Sequence, residues 1–418
     1  MPAPAPHRWW PSGHCRSLAV TLLLVAPPLL SAASPPAAAA AEPPVTYTIQ
    51  ATTLSGLGAL AAGDLSAGGM MRLLMGGAPP SSARTLELSL EAPGPAPGAL
   101  RAEHRVPEGL RLGPVLPLVP PLAAAAEPGN PTPGSPPERP QGRLLLFHGC
   151  ADQADGQQPQ VVSLERLLPD QQALARRLAS MGGLRAQADG LRSGATVLGR
   201  WPNAETRGSG AVPAGASLVG AHTVSGGTTP TLNFSLDSRH DFLAPVELAI
   251  TAAGGASLLR WQPVAGAEGY LALVAGAGRQ EGDLVIWTSS SRPWGDTPFV
   301  GLSTLSGGLQ PSSGAAGQEK GKSQAGAPAL LPLSQTSCAV SAQAMQAMQA
   351  GVLTFVAPAV PQRLQEPGVS PGWQVQVERQ SLLIQPLMEG MPLEMPARQE
   401  ERAPAGGGGT FNLFKGLF

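Results

Sequence analysis

The stretch 241–291, DFLAPVELAITAAGGASLLRWQPVAGAEGYLALVAGAGRQEGDLVIWTSSS, constrains the fold more than any other part of the chain. It holds four short apolar runs separated by turns rich in Gly, Ala and Pro. Runs of that length and spacing predict a β-sandwich with Trp261 and Tyr270 as core-packing residues.

Composition limits how large the ordered core is. Gly 52 and Pro 46 make up nearly a quarter of the 418 residues, charged residues 13% and aromatics 4%. The hydrophobic share of 43% leans on Ala, which buries little area per residue. Much of the length therefore reads as loop or linker. A net charge of −1 supplies no global field toward nucleic acid or an anionic membrane.

The N-terminus has the order of a secretory signal. His7, Arg8 and Arg16 are followed by an apolar run at 18–30 and then by the small residues SAASPPAAAAAE. Pro27 and Pro28 interrupt the run and leave it short for a membrane span. Cleavage after Ala41, or alternatively after Ala33, is expected, and the mature protein is expected to be periplasmic or associated with the outer envelope. Two cysteines then remain, Cys150 and Cys338. An oxidising compartment predicts that they pair; two buried free thiols are the alternative. No His or Cys cluster has metal-ligand spacing, and no cofactor is expected.

Taken in order, the chain divides into a signal segment (1–41), an N-terminal β-rich region (42–126) and a Pro-rich linker (127–140). A strand and helix region (141–240), a sandwich (241–380) and a flexible tail (381–418) follow. Strands are expected at 45–51, at 84–92, where Leu86, Leu88 and Leu90 alternate with Glu87 and Glu91, and at 143–147 with 161–164 beside it. Residues 170–181 read as a helix capped by Asp170 and ended by Gly182 and Gly183. Strands follow at 196–203, 217–224 and 231–236. Residues 305–326 are poor in apolar side chains and read as a disordered insertion in the sandwich. Beyond it come a strand at Cys338, a short helix at 341–350, and strands at 352–356 and 373–378. The fold expected is mainly β, with one or two short helices and long disordered loops.

Residues 259–270, LRWQPVAGAEGY, resemble the second and third strands of fibronectin type III domains, where Trp and Tyr from adjacent strands fill the space between two sheets. The resemblance implies that the last sandwich strands lie beyond the insertion, after Cys338. More broadly, RLLLFHGC, GRWPN, LVGAHTVSGGTTPTLNFSL, DFLAP, WQPVAGAEGY and VIWTSSS resemble, in that order, a family of exported proteobacterial proteins that has no assigned activity.

RLLLFHGCADQAD is also similar to the strand and His-Gly segment that supplies an oxyanion-hole N–H in α/β-hydrolases, including polyester depolymerases. That chemistry needs a serine on a G-x-S-x-G turn. Ser217 and Ser225 each lack a required glycine, and the one stretch with the pattern, GVSPG at 368–372, leads into the strand expected at 373–378 and not into a helix. His148 therefore reads as a turn residue, with a hydrolase built on His148 or Cys150 as the alternative. His104, His222 and His240 stand singly, and nothing pairs Asp152 and Asp155 with a second acid. Trp287 and Trp294 read as core or rim packing. Phe411, Phe414 and Leu417 would share a helical face, with Phe418 at the end, and read as a weak docking tail for a protein or membrane surface. The function expected is a non-catalytic binding or structural module whose partner is another envelope protein or a surface polymer.

Overall fold

A computed structural model describes residues 45–62, 82–93, 101–120, 142–167, 195–203, 205–206, 210–213, 215–226, 229–294, 328–365 and 372–387. The expected signal segment, linker 127–140, helix 170–181, insertion 305–326 and residues 388–418 lie outside them. The described residues are mainly β, with eighteen strands and two short helices.

The largest sheet is organised by two long parallel strands, β1 (Val45–Gly56) and β18 (Trp373–Leu387), paired residue for residue from Val45↔Trp373 to Gly56↔Ile384. Beyond β1 the sheet continues antiparallel through β2 (Ser82–Pro93) to β7 (Ala195–Trp201), with β8 (Ala211–Val212) also on β2. Beyond β18 it continues through β16 (Met348–Pro358), β13 (Leu271–Gly278), β14 (Leu284–Thr288), β5 (Arg143–His148) and β6 (Gln160–Ser163). The short β17 (Gln362–Gln365) pairs with the first half of β18.

Two small sheets lie over this large one. The first runs β10 (Leu232–Leu236), β9 (Gly220–Gly226), β3 (Ala102–Arg105), β4 (Val115–Leu118). The second runs β11 (Leu248–Ala253), β12 (Ala256–Trp261), β15 (Ser337–Val340). Side chains alternate across a strand, so Tyr47, Ile49 and Ala51 of β1 share one face with Val375 and Val377 of β18, their register partners or neighbours. These residues and Leu86, Leu88 and Leu90 make one buried core with the first small sheet. The same face continues along β18 to Leu383 and Leu387, which join Ala272, Val274, Trp287, Leu353 and Phe355 in a second core against β12 and β15. Two cores thus share one face of one sheet.

Between them runs a polar seam. Its row across the sheet is Ala357, Ser381, Thr53, Arg84, flanked by Arg379 and Ser55. The chain crosses the seam at residues 241–246 and its carbonyls accept from three of the seam's donors. Thr53 Oγ1 donates to Leu243 O at 2.7 Å, Ser55 Oγ to Val246 O at 3.3 Å, and Arg379 Nη1 to Asp241 O at 3.3 Å. Arg84 stands over the Phe242 ring, 5.1 Å from its centroid, and donates to Ala216 O.

Strands β5, β13 and β14 are buried on both faces. Leu144, Leu146, Leu271, Leu273 and Ile286 form a third core with Leu164, Leu167 and Trp294. This is why their sequences read as unbroken apolar runs.

Several sequence expectations are corrected here. Strands from both sides of the boundary at 240 and 241 share one sheet. Residues 381–387, assigned to the tail, are the second half of β18, with Leu383 and Leu387 buried. The helix α1 (Leu57–Ala62) follows β1 directly. The expected helix 341–350 is shorter, α2 (Ala342–Ala347), capped by the Ser341 side chain. It ends where Met348 turns into the core and β16 begins. There Gly276 and Gly351 face each other, and a Cβ on Gly276 would sit 2.1 Å from the Ala350 carbonyl oxygen. Gly276→Ala is expected to cost about 1–3 kcal/mol of stability in urea unfolding, because the obstacle is backbone.

Candidate functional site

The outer face of the long strands is polar at four successive positions on each of three strands. β1 presents Thr46, Thr48, Gln50 and Thr52; β2 presents Thr85, Glu87, Ser89 and Glu91; β18 presents Gln374, Gln376, Glu378 and Gln380. Register aligns them in rows, such as Glu378, Gln50, Glu87, and β17 extends two rows with Arg363 and Gln365. The side chains hold one another. Gln50 Nε2 donates to Glu378 Oε2 at 3.0 Å and the Gln376 amide to the other carboxylate oxygen. Gln380 Nε2 donates to Thr52 Oγ1 at 3.2 Å, Gln365 Nε2 to Gln374 Oε1 at 3.2 Å, and Ser89 Oγ to Glu91 Oε1 at 3.2 Å.

Thr48, Gln376 and Glu378 are buried in the middle of this ladder and Glu91 and Thr85 at its two ends on β2, the glutamines at 50, 374 and 380 are half-buried, and Arg363 and Gln365 are exposed. A row of amides and hydroxyls fixed in place offers both donors and acceptors with little rotamer entropy left to lose. That suits recognition of hydroxyl and amide groups.

A second polar cluster lies inside the first core. Tyr47 Oη is 2.8 Å from His104 Nδ1, His104 Nε2 is 3.0 Å from His222 Nδ1, and His222 Nε2 is 2.7 Å from Leu218 O. A carbonyl only accepts, so His222 carries its proton on Nε2 and accepts on Nδ1. His104 then donates from Nε2 and accepts on Nδ1, and the Tyr47 hydroxyl donates. Every donor and acceptor in the chain is used once, with both imidazoles neutral. Tyr47, His104 and His222 are 0–1% exposed, and Phe234 stacks 5.1 Å from the His222 ring. Burial, helped by the nearby His222, pushes the His104 pKa down to about 3. Burial also lowers His222, against the pull of the Leu218 carbonyl, and raises Tyr47 well above its ordinary value. The cluster is closed to any further proton and joins β1 to β3 and β9. The sequence leaves these residues scattered, 57 and 118 positions apart, so no local pattern could have grouped them.

The residues singled out from the sequence fall as follows. Cys150 and Cys338 are joined, with an S–S distance of 2.05 Å, and tie the turn after β5 to β15. Trp261 and Tyr270 are buried with ring centroids 5.5 Å apart, and Phe355 packs against both. Trp287 and Trp294 are buried, their Nε1 atoms donating to Gly149 O and Phe147 O. His148 ends β5, half-buried, its backbone N–H on Gln158 Oε1 at 2.8 Å. Burial lowers its pKa, opposed by Asp155, which is itself held by Gln158 and the Gln157 N–H.

Thr288, the register partner of His148, and Ser289 and Ser290 are the hydroxyls of this strand end. Thr288 accepts from Ser290 N, Ser289 from Ala272 N, and Ser290 from Arg292 N and Ala329 N. Each therefore serves the backbone. Asp152 meets α2 through its carbonyl, which accepts from Ala342 N. His240 belongs to a capping box with Asp237. The tail residues Phe411, Phe414, Leu417 and Phe418 lie outside the described residues. Among the described residues no group of three or more His, Cys, Asp and Glu could hold a metal ion. Comparison with protein-family models, curated proteins and solved structures gives no match to this chain.

Proposed function

We propose that the chain is an exported, non-catalytic binding module that engages a hydroxyl-rich surface polymer through the outer face of β17, β18, β1 and β2. The observation that carries this reading is the locked ladder of glutamine, threonine and glutamate side chains, whose rim reaches solvent at Arg363 and Gln365. Export is supported by the basic, apolar and small-residue order of residues 7–42.

A fibronectin type III-like sandwich forms the rigid half of the module in this reading. Its support is the strand partition: β11, β12 and β15, first, second and fifth in order, face β13, β14, β16 and β18. In a seven-stranded Greek-key sandwich the first, second and fifth strands likewise share one sheet and the third, sixth and seventh the other; in this reading β14 has joined the latter and β17 is an addition.

Native affinity electrophoresis in gels containing envelope polysaccharide tests the binding. The mature protein is expected to be retarded, and Gln374→Ala with Gln365→Ala is expected to weaken retardation about tenfold, the value of one or two lost hydrogen bonds. Unretarded protein, or equal retardation of the variant, contradicts the reading.

A further inference from the structure

The seam between the two cores has more donors than the chain crossing it can accept. Among the described residues three buried polar side-chain atoms have no hydrogen-bond partner: Arg379 Nε, Ser381 Oγ and Trp261 Nε1. Trp261 Nε1 belongs to the second core. The other two belong to alternate residues of β18, on one face, so their Cα atoms are about 7 Å apart by strand geometry. Ser381 is 0% exposed, whereas Arg379 is half-buried and opens the seam toward solvent. A buried donor without an acceptor costs about 1–3 kcal/mol, and native structures provide water or an ion for such groups.

The charge around the pair is unbalanced. Arg84 and Arg379 face the seam as two guanidiniums. Asp237 is taken by Arg239 and His240, which leaves the single carboxylate of Asp241. That carboxylate accepts from Ser217 Oγ at 2.6 Å and from the Leu218 N–H at 2.9 Å, not from either arginine. Among the described residues this sets two guanidiniums against one carboxylate that has no ion pair of its own, with Asp237 acting on Arg379 as well as on its own partners.

From these observations we infer that the seam is a binding site for a small oxyanion, a carboxylate or phosphate, bridging Arg379 Nε and Ser381 Oγ. Alternate residues of one strand put both donors on the same side of the sheet, and charge-assisted hydrogen bonds to a guanidinium are the stronger kind. Burial draws the Arg379 pKa down more than Asp241 and Asp237 hold it up, as expected of a cation whose counter-charge is incomplete. The guanidinium stays protonated at neutral pH all the same. This site is separate from the outer-face ladder and does not depend on it.

The test is thermal unfolding of the whole mature protein at pH 7.5 in 0–50 mM formate, acetate or phosphate, with chloride holding ionic strength constant. A ligand that binds only the native state raises Tm. The expected result is a saturable rise of several degrees in wild type, with half-saturation about tenfold weaker in Ser381→Ala and no rise in Arg379→Gln. Ser381→Ala removes one oxygen atom and leaves the fold, so the comparison stands even where Arg379→Gln unfolds. No rise above the chloride control means that water alone serves these donors and overturns the proposal. An equal rise in wild type and Ser381→Ala overturns it as well.

Discussion

Replacing Cys150 and Cys338 by serine is expected to lower the unfolding free energy by about 5 kcal/mol, the chain-entropy value for a loop of this size. The cross-link spans 188 residues of sequence and holds β15 of a three-stranded sheet against the end of β5 in the large sheet. Without it, that small sheet keeps β12 and its share of the second core, but the unfolded chain gains the freedom of the opened loop. Against a typical stability of roughly 5–15 kcal/mol, this is the difference between a robust and a marginal fold. Urea unfolding of oxidised wild type and the double serine variant measures it. Equal midpoints and slopes in the two proteins would refute the expectation.

The second large effect is acid lability above the carboxylate range. His104 and His222 are neutral in the fold, with pKa values held below the ordinary 6.5. The unfolded chain takes up their protons near pH 6.5 and the native chain does not. Stability is therefore full above about 6.5 and is lost as the pH falls toward 3. His104 contributes a slope of up to about 1.4 kcal/mol per pH unit across that window, and His222 adds to it below 6.5. Between pH 6.5 and 5, where most carboxylates stay ionised, Tm is expected to drop steeply in wild type. In His104→Phe/His222→Phe the baseline Tm falls, since the Tyr47 hydroxyl loses its acceptor, but the dependence on pH flattens. A wild-type slope preserved in that double variant would contradict the role given to the pair.

What the sequence discloses of this fold depends on whether one strand face keeps a single character. Residues 86–92 do, with Leu86, Leu88 and Leu90 buried along one face, and β2 is legible up to Arg84, where it reaches the seam. The two long strands do not. On β18 the inward positions are apolar through Val377, polar at Arg379 and Ser381, and apolar again at Leu383. On β1 they are apolar through Ala51 and polar at Thr53 and Ser55. The alternation lapses where each strand passes under the seam, so from sequence alone both strands end too early and the chain divides there. The contact that explains the lapse comes from residues 241–246, some 190 positions away from β1.

The same limit applies to the candidate sites. The outer-face ladder is partly visible as the glutamines and glutamates of WQVQVE and LELSLE, but only the parallel pairing of β1 with β18 places those rows side by side. Nothing local marks Tyr47, His104 and His222 as partners.

Two cores on one face of one sheet, carried by β1 and β18, is the claim on which the rest depends. Native-state hydrogen exchange of β18, read by mass spectrometry with peptides covering each half, tests it most directly. The amides near Val375 and Val377, in the first core, and those near Leu383, in the second, are expected to open with the same free energy, equal to that of global unfolding. Halves that open at clearly different free energies would mean two independent units joined at the seam, and would contradict the shared sheet as the source of stability.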